Sequence, residues 1–172
     1  MAIRIEEARA ADLPLIEALQ VASWQNAYRG MVSDAFLGVE VPRIMARKWA
    51  ALPGADWIVL VARAEAGIAG FAALEMGHDG GPYVDNLHVA PSAHGRGIGR
   101  ALMAAMAGAV AARGGDRIWL TVIRENTGTR AFYRRIGGIE GPEAVDDLFG
   151  QSIVSIPVHW ADLPGLAAQG AK

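Results

Sequence analysis

A glycine-rich turn at residues 94–100 carries the clearest chemical signal in the sequence, because it lies between a predicted strand and the start of a predicted helix. Glycines allow a tight turn whose N–H groups converge on an anion, and the start of a helix adds partial positive charge. Two arginines add formal charge that a neutral ligand would not require. The pattern predicts a site for a phosphorylated ligand, made by His94, Gly95, Arg96, Gly97, Ile98, Gly99 and Arg100. The alternative is that the glycines only shape a strand-to-helix turn.

Two common phosphate-binding loops do not fit this turn. A Walker A loop needs Gly-Lys followed by Ser or Thr, and no such tripeptide occurs in the chain. The dinucleotide fingerprint needs a glycine three positions after Gly97, where Arg100 stands. A serine hydrolase is also disfavoured, because the sequence contains no Gly-x-Ser-x-Gly.

The composition favours one globular domain without a nucleic-acid or membrane partner. The 172 residues are enough for a single buried core, and 16 basic against 18 acidic side chains give a net charge of −2. The first nine residues alternate charged and apolar side chains, unlike a secretory signal. The longest apolar stretch, 101–112, is shorter than the ~20 residues of a membrane helix. A cytoplasmic protein is therefore expected.

The chain contains no cysteine, which excludes disulfides, thiolate metal sites and a cysteine nucleophile. An enzyme that holds its acyl group on a cysteine is excluded for the same reason. The four histidines show no spacing typical of metal ligands, so no metal site is expected.

The hydrophobic pattern predicts strands and helices around the turn. Strands are expected at 3–6, 57–62, 68–74, 83–89, 117–123 and 153–160, and helices at 12–28, 41–52, 97–113 and 127–136. Asp12 is placed to cap the first helix, and Pro157 suggests an edge or bulged position for the last strand. One domain is expected at 1–163, followed by a frayed tail at 164–172. The order implies the α/β (α+β) class, a mixed sheet with helices on both faces.

The turn resembles the pyrophosphate-binding motif of the GCN5-related N-acetyltransferase (GNAT) family. That motif reads Gln or Arg, two residues, Gly, one residue, then Gly or Ala. Gly97 and Gly99 match the two small positions, and His94 stands where Gln or Arg is usual.

The resemblance covers most of the chain. It includes an N-terminal strand followed by two helices, and the strand end at 87–91. It also includes Asn126 with Tyr133 seven residues later, followed by Gly137. One position departs from the pattern, because Gly138 replaces a common phenylalanine and its packing would be lost.

The resemblance implies a single-domain fold with a mixed, mostly antiparallel central sheet, in which two neighbouring strands separate to admit acetyl-CoA. Backbone groups of Leu87, His88 and Val89 would bind the pantetheine arm, with the Val89 N–H as oxyanion donor. Asn126 would help to fix the cosubstrate. Tyr133 would protonate the departing thiolate, since a tyrosine of pKa ~10 keeps its proton at neutral pH. The alternative for Tyr133 is an aromatic role in the core.

Trp24 and Tyr28 lie in the region that covers the acceptor amine in the family, and their spacing of four places them on one helix face. With Tyr83, they are the candidate substrate-binding residues. A core role is the alternative for Trp24 and Tyr28. An acidic stretch at 140–147 could attract a cationic amine, but it also fits a solvated loop.

The general base departs from the family pattern. Many relatives carry a glutamate at the position of Tyr83, and a tyrosine cannot replace it near neutral pH. Asp85 lies on the same strand and is expected to share the face of Leu87 and Val89. Asp85, acting through a water, is the candidate base, and Glu75 is the reserve. The alternative for Asp85 is an ion pair with an arginine or a loop-capping role.

The resemblance leads to one main functional hypothesis, an acetyl-CoA-dependent N-acetyltransferase in which an amine attacks the thioester directly. The alternative is a non-catalytic module that binds CoA or acetyl-CoA as a sensor or structural element. The family often forms dimers, so a homodimer is compatible with the resemblance. The acceptor stays open between polyamines, amino acids, antibiotics, protein N-termini and lysines.

Overall fold

The computed structural model describes residues 3–171. Within this range, eight strands form one sheet, and helices pack on both of its faces. The strands are β1 (Arg4–Glu7), β2 (Trp57–Ala64), β3 (Gly67–Glu75), β4 (Tyr83–Val89), β5 (Ile118–Ile123), β6 (Ile139–Glu140), β7 (Ala144–Leu148) and β8 (Gln151–Trp160). The helices are α1 (Leu13–Ala27), α2 (Val41–Lys48), α3 (Ile98–Ala112), α4 (Thr127–Arg135) and α5 (Leu163–Ala167). A π-helical turn, Phe36–Glu40, leads into α2.

Antiparallel pairing dominates the sheet. The strand order is β1-β2-β3-β4-β5-β8-β6, and β7 also pairs with β8. Every pair is antiparallel except β4 with β5, which confirms the predicted mixed, mostly antiparallel sheet. The parallel pair has register only at Tyr83 and Trp119, so β4 and β5 separate beyond this point. The gap between the two strands forms a cleft.

Two apolar clusters, one on each face of the sheet, form the core. On one face α3 buries Leu102, Met106 and Val110, which follow one another at the four-residue spacing of a helical stripe. On the other face α1 and α2 bury Ile16 and Met45. Burial of each such side chain contributes roughly 1.5–3 kcal/mol, so apolar contact holds the helices to the sheet.

The start of α1 differs from the prediction, because Asp12 makes no side-chain cap. Its carboxylate instead accepts a hydrogen bond from the Arg9 N–H at 2.9 Å and pairs with Arg63 at 3.0 Å. Burial raises the pKa of Asp12, but the Arg9 N–H and the Arg63 guanidinium outweigh burial and hold the pKa below its usual value. Pro14 in the first turn has no N–H to be capped, which makes the missing cap tolerable.

The end of α2 also differs from the prediction. The helix begins at Val41 as expected but ends at Lys48. Trp49 leaves the helix with φ −99° and ψ 17°, and its buried indole donates a hydrogen bond to Gln20 Oε1 at 2.6 Å. This bond to α1 fixes the helix end before the predicted boundary.

The acidic stretch at 140–147 does not form a solvated loop, because parts of it belong to β6 and β7. Both strands pair with β8, so β8 is not an edge strand. The register shifts by one residue between β6 and β7, beside Pro157, which confirms the bulged alternative. Pro157 lies in the interval between β6 and β7, where its carbonyl accepts a hydrogen bond from the Gly141 N–H at 2.8 Å. In an antiparallel strand the N–H and the C=O of one residue point to the same edge. The N–H that Pro157 lacks would therefore point into the interval between β6 and β7.

The C-terminal segment forms α5 and packs on α3, so the expectation of a frayed tail is wrong. Asp162 caps α5 by accepting a hydrogen bond from the Gly165 N–H at 2.9 Å. Leu163 and Leu166 are each only 2% exposed and join the apolar cluster beneath α3. Their burial anchors the segment.

The helices among residues 3–171 are too short or too polar to cross a membrane. The longest, α1 and α3, have 15 residues each. These same residues contain no group of three or more His, Cys, Asp or Glu side chains placed to hold a metal ion.

Candidate active site

The separated strands β4 and β5 enclose a cleft of about 1110 Å³. Its wall also includes residues of α1, α4 and the glycine-rich turn. The predicted site residues on this wall are Trp24, Tyr28, Asp85, Leu87, His88, Val89, His94, Gly95, Arg96, Gly97, Ile98, Gly99, Arg100, Asn126 and Tyr133. Tyr83 lies outside the wall. The fold thus brings together segments that are far apart along the chain.

The turn before α3 uses glycine where the backbone requires it. Gly95 and Gly97 both have φ +75°, a left-handed conformation that side chains disfavour. Gly97 is the N-cap of α3, and no side chain caps this helix end. Ile98 is 2% exposed and anchors the first turn in the core. The N-terminus of α3 therefore lies at the cleft, where its N–H groups and its dipole favour an anion.

Gly99 is small for a different reason, because α4 crosses α3 closely at this point. A Cβ on Gly99 would lie 3.2 Å from Cζ of Phe132. Arg96 and Arg100 line the cleft beside the same helix start and add positive charge there. Glycine is thus required at position 97 by the backbone conformation and at position 99 by the packing against Phe132.

His94 ties the turn to the end of β4, since its Nε2 donates a hydrogen bond to the carbonyl of Val89 at 2.9 Å. The next N–H, that of Ala90, bonds to Ala69 of β3 at 2.9 Å. Successive residues of a strand point their backbone groups to opposite edges, so the N–H and C=O of Val89 point toward β5. Because β5 has separated from β4 there, the Val89 N–H faces the cleft.

A β-bulge changes the side-chain arrangement along β4. The register with β3 includes Val84 and Asn86 but skips Asp85, which is the extra residue of the bulge. Leu87 and Val89 pack against the α3 cluster, whereas Asp85 contacts α2 on the other face. The prediction that Asp85 shares the face of Leu87 and Val89 is therefore wrong, because the bulge interrupts the two-residue alternation.

Asp85 belongs to a polar network that links α1, α2 and β4. Its carboxylate pairs with the Lys48 ammonium and accepts a hydrogen bond from the Asn86 amide. Asn86 accepts from Gln20, which in turn accepts from the Trp49 indole. Gln20 and Asn86 are 1% and 4% exposed, so these bonds satisfy groups that water does not reach. The network thus fixes the position of the Asp85 carboxylate between α2 and β4.

Tyr133 is 6% exposed and lies on the cleft wall. Within residues 3–171 its hydroxyl makes no hydrogen bond. Burial raises the pKa of Tyr133, and the neighbouring Tyr28 and Tyr83 raise it further. The phenol therefore keeps its proton at neutral pH and can act as a donor but not as a base.

Trp160 fills the space beside Gly138. A Cβ on Gly138 would lie 2.7 Å from Cζ2 of Trp160 and 2.7 Å from Cγ1 of Val158. The Trp160 indole donates a hydrogen bond to the Ile136 carbonyl at 3.1 Å, and its ring meets Tyr133 edge-on at a centroid distance of 5.5 Å. The expectation that packing is lost at Gly138 is therefore wrong, because an indole from β8 occupies the space.

Aromatic side chains at the C-terminal end of α1, Trp24 within the helix and Tyr28 at its C-cap, contribute to both the cleft wall and the core. Trp24 is 7% exposed and meets Tyr28 edge-on at a centroid distance of 4.9 Å. Phe149, at the turn between β7 and β8, lies 6.0 Å from the Trp24 ring and has φ +52°. Burial raises the pKa of Tyr28 to about 12, with a further contribution from Tyr83.

Tyr83 does not line the cleft itself but contacts Thr121, which does. Its hydroxyl shares a hydrogen bond of 3.0 Å with Oγ1 of Thr121, which lines the cleft. Burial raises the pKa of Tyr83 and so excludes it as a base near neutral pH. Glu75, the reserve base, pairs with Tyr83 in the sheet and lies outside the cleft wall.

His88 and Ser23 make a polar contact that sequence reasoning missed. Oγ of Ser23 and Nδ1 of His88 are 2.8 Å apart, and the imidazole lies 5.4 Å from the Phe71 ring. Burial lowers the pKa of His88 to about 3, and the Lys48 charge lowers it as well. The imidazole is therefore neutral near pH 7.

Asn126 caps α4, since its Oδ1 accepts a hydrogen bond from the Thr129 N–H at 3.3 Å. This cap places Asn126 at the cleft wall. Sequence reasoning missed several other wall residues: Ser23, Thr121, Thr129, Phe132, Arg135 and Gln169. The pair of arginines directly after Tyr133 was the signal that could have found Arg135.

Residues 18–138 match the sequence model of the acetyltransferase (GNAT) family. An uncharacterized N-acetyltransferase of Mycobacterium bovis is 34% identical over 79 residues, which are 46% of this chain and 51% of that protein. The chain thus spans about half the length of the curated relatives it matches.

Two solved structures share the fold. The PaiA N-acetyltransferase of Thermoplasma acidophilum, in complex with coenzyme A, has a TM-score of 0.68 and 21% identity over 91% of this chain and 98% of that one. The yncA protein of Salmonella typhimurium, with its cofactor acetyl-CoA, has a TM-score of 0.66 and 16% identity over 94% of each chain. The architecture is therefore common to proteins of low sequence identity.

Proposed function

Because the chain belongs to the acetyltransferase (GNAT) family, we propose that it is an acetyl-CoA-dependent N-acetyltransferase whose acceptor amine attacks the thioester directly. The observation that carries the proposal is the cleft between β4 and β5, where the anion-binding turn, Asn126 and Tyr133 meet. Two proteins of the same fold hold coenzyme A or acetyl-CoA, which supports the choice of cosubstrate. The chain has no cysteine that could carry the acyl group, which supports direct attack.

The chemistry of the cleft suits an extended phosphorylated thioester. The turn at 94–100 offers N–H groups, a helix dipole and two arginines to the pyrophosphate. The open edge of β4 offers the backbone groups of Leu87, which point the same way as those of Val89, to the amides of the pantetheine arm. The volume of about 1110 Å³ lies above the roughly 300–1,000 Å³ of a pocket for a drug-sized ligand, as expected for a ligand larger than a drug.

In the proposed reaction the amine nitrogen bonds to the acetyl carbon and the carbon–sulfur bond breaks. The Val89 N–H, which faces the cleft, would donate to the carbonyl oxygen as that oxygen gains charge. Tyr133 would supply the proton that the departing thiolate needs, since a thiol has a pKa of ~8.5 and burial keeps the phenol protonated. A neutral amine loses one proton in this step, and an equivalent proton returns to the Tyr133 phenolate, so the products are an amide and a thiol. An amine that enters protonated first gives up another proton to the base.

Asp85 is our candidate for the group that receives the amine proton, through a water. It lies on the cleft wall, where its carboxylate pairs with the Lys48 ammonium. The demand on this base depends on the acceptor. An amine of pKa ~10.4 needs about 4 kcal/mol to lose its proton at pH 7.5, whereas an α-amine of pKa ~8 needs less than about 1 kcal/mol. Trp24 and Tyr28 would contact the acceptor from α1.

Binding of acetyl-CoA to wild type and a Gly97→Asp variant, measured by calorimetry, tests the proposal. We expect micromolar binding to wild type and no detectable binding to the variant, because aspartate brings negative charge to the anion site and strains a backbone at φ +75°. Gly54→Asp is the matched control, since Gly54 has an ordinary φ and nothing within 4 Å of its Cβ position. Wild-type protein that binds no acetyl-CoA, or a Gly97→Asp protein that binds it normally, would exclude the proposal.

A sensor that binds acetyl-CoA without turnover is distinguished by acetyl-CoA-dependent thiol release with a panel of amines. The departure from the family pattern at Gly138 gives the sensor no support, because Trp160 fills the space beside this glycine. We therefore expect thiol release with at least one amine. Tight binding without release for any amine would favour the sensor.

A further inference from the structure

Arg135 differs from the other arginines of α4 in its surroundings. Arg130 and Arg134 both pair with Glu140 of β6, at 2.9 Å and 3.0 Å. Among residues 3–171, Arg135 has no carboxylate within ion-pair distance. It lies on the wall of the cleft and is exposed. Its charge is therefore available to a ligand in the cleft.

The geometry of α4 explains this difference. Arg130 and Arg134 are four residues apart and share the side of the helix that meets β6. One residue advances an α-helix by about 100°, so Arg135 projects from another side. Phe132 lies three residues before Arg135, within one turn, and also lines the cleft. The cleft-facing side of α4 thus carries an aromatic ring followed by a cation.

The position of Phe132 places Arg135 close to the phosphate-binding turn. A Cβ on Gly99 would lie 3.2 Å from the Phe132 ring, so this part of α4 touches the first turn of α3. Arg135 is three residues further along α4, which is about 4.5 Å along the helix axis. Gln169 lines the cleft nearby and donates a hydrogen bond to the Ile136 carbonyl at 3.3 Å. Arg135 therefore lies at the rim of the cleft beside the turn.

Coenzyme A carries two separate anionic groups, a pyrophosphate and a phosphomonoester on the 3′ oxygen of the ribose. The phosphomonoester has a second pKa near ~6 and carries about −1.5 to −2 charge at pH 7. The N–H groups of one turn cannot serve both groups, because the ribose separates them. An arginine fork is well suited to a phosphomonoester, since it can donate two parallel hydrogen bonds.

We propose that Arg135 binds the 3′-phosphate of coenzyme A and makes the protein prefer coenzyme A to 3′-dephospho-coenzyme A. The inference rests on the proposed function, because it takes acetyl-CoA as the cosubstrate. The turn binds the pyrophosphate, which both ligands contain. Arg135 binds the 3′-phosphate, which only coenzyme A contains.

Calorimetry with the two ligands and three proteins tests this assignment. We expect wild type to bind coenzyme A about tenfold more tightly than 3′-dephospho-coenzyme A, the effect of one charged hydrogen-bonded contact at a partly screened site. Arg135→Gln should weaken coenzyme A about tenfold and leave 3′-dephospho-coenzyme A unchanged. Arg134→Gln removes the same charge one residue away, where Glu140 holds it, and should leave both affinities unchanged. Melting curves verify that both variants fold.

The outcomes separate the inference from the proposed function. An Arg135→Gln protein that binds both ligands normally, or loses affinity for both to the same extent, would overturn the role in 3′-phosphate recognition. An equal loss of preference in Arg134→Gln would also overturn it, because general charge would then explain the effect. Failure of the proposed function gives a different result, in which wild type binds neither ligand.

Discussion

Replacing Gly138 by alanine should destabilise the protein, because Trp160 occupies the space that a side chain would need. The new Cβ would lie 2.7 Å from both Cζ2 of Trp160 and Cγ1 of Val158, well inside normal carbon–carbon contact. Neither neighbour moves easily, since Trp160 is hydrogen-bonded to Ile136 at 3.1 Å and Val158 is fully buried in β8. Overpacking of this kind costs roughly 1–3 kcal/mol in the free energy of unfolding.

Thermal and urea unfolding measure this cost. In a domain of this size 1 kcal/mol shifts Tm by about 2–4 °C, so we expect Tm to fall by about 2–12 °C. Gly108→Ala is the matched control, because Gly108 lies within α3 and has nothing within 4 Å of its Cβ position. That substitution should stabilise the protein by about 0.5–1 kcal/mol, since alanine favours a helix more than glycine does.

A double variant locates the origin of the effect. Trp160→Phe removes the ring atom that the new Cβ meets, so Gly138→Ala should cost less in this background than in wild type. A Gly138→Ala protein as stable as wild type would refute the reasoning. Purely additive effects of the two substitutions would show that Trp160 is not the neighbour that resists the new methyl group.

Three further substitutions test the site. Tyr133→Phe should keep its affinity for coenzyme A and lower turnover by roughly 10²–10⁴-fold, because it removes the proton donor; unchanged turnover would return Tyr133 to a core role. Asp85→Asn should flatten the acidic limb of the kcat/KM profile while calorimetry finds coenzyme A binding intact, and a wild-type profile would remove Asp85 from the mechanism. Burial lowers the pKa of His88 from 6.5 to about 3. Between these pH values His88 is therefore protonated in the unfolded chain but neutral in the folded chain. Stability should therefore fall by up to ~1.4 kcal/mol per pH unit as pH drops from 6.5 toward 3. Urea unfolding at several pH values should show this slope reduced in His88→Gln but not in the exposed control His159→Gln, and equal slopes would contradict it.

The elements at the cofactor end of the cleft could be predicted because their local sequence determines their backbone conformation. The bounds of β4, Tyr83–Val89, agree with the prediction, since an alternating apolar run stops before Pro91. The turn could be recognised because glycine is the residue that accepts φ +75° at Gly95 and Gly97 without strain. The hydrophobic pattern at 97–113 likewise predicted the helix that is observed as α3.

The features that could not be predicted depend on pairing between distant segments. The bulge at Asp85 exists only in the register with β3, and no local pattern in the strand marks it. The acidic residues of β7 have low strand propensity, and β8 supplies the hydrogen-bond partners that make this segment a strand. The short helix α5 was missed although its signals were present, namely Asp162 as N-cap and Pro164 in the first turn.

The bulge in β4 bears on whether residues near the acceptor can be substituted without changing the residues near coenzyme A. Leu87 and Val89 pack toward α3 and the glycine-rich turn, whereas Asn86 and His88 contact α1 on the opposite face. Asp85 is inserted between these groups and joins the α2 side through Lys48. In the proposed reaction, substitutions on the α1 and α2 side would therefore change how the acceptor is held, while the backbone edge and the α3 side that serve coenzyme A stay intact. In that reaction a single strand would separate cosubstrate binding from acceptor choice, because its two faces and its open edge each contact a different part of the cleft.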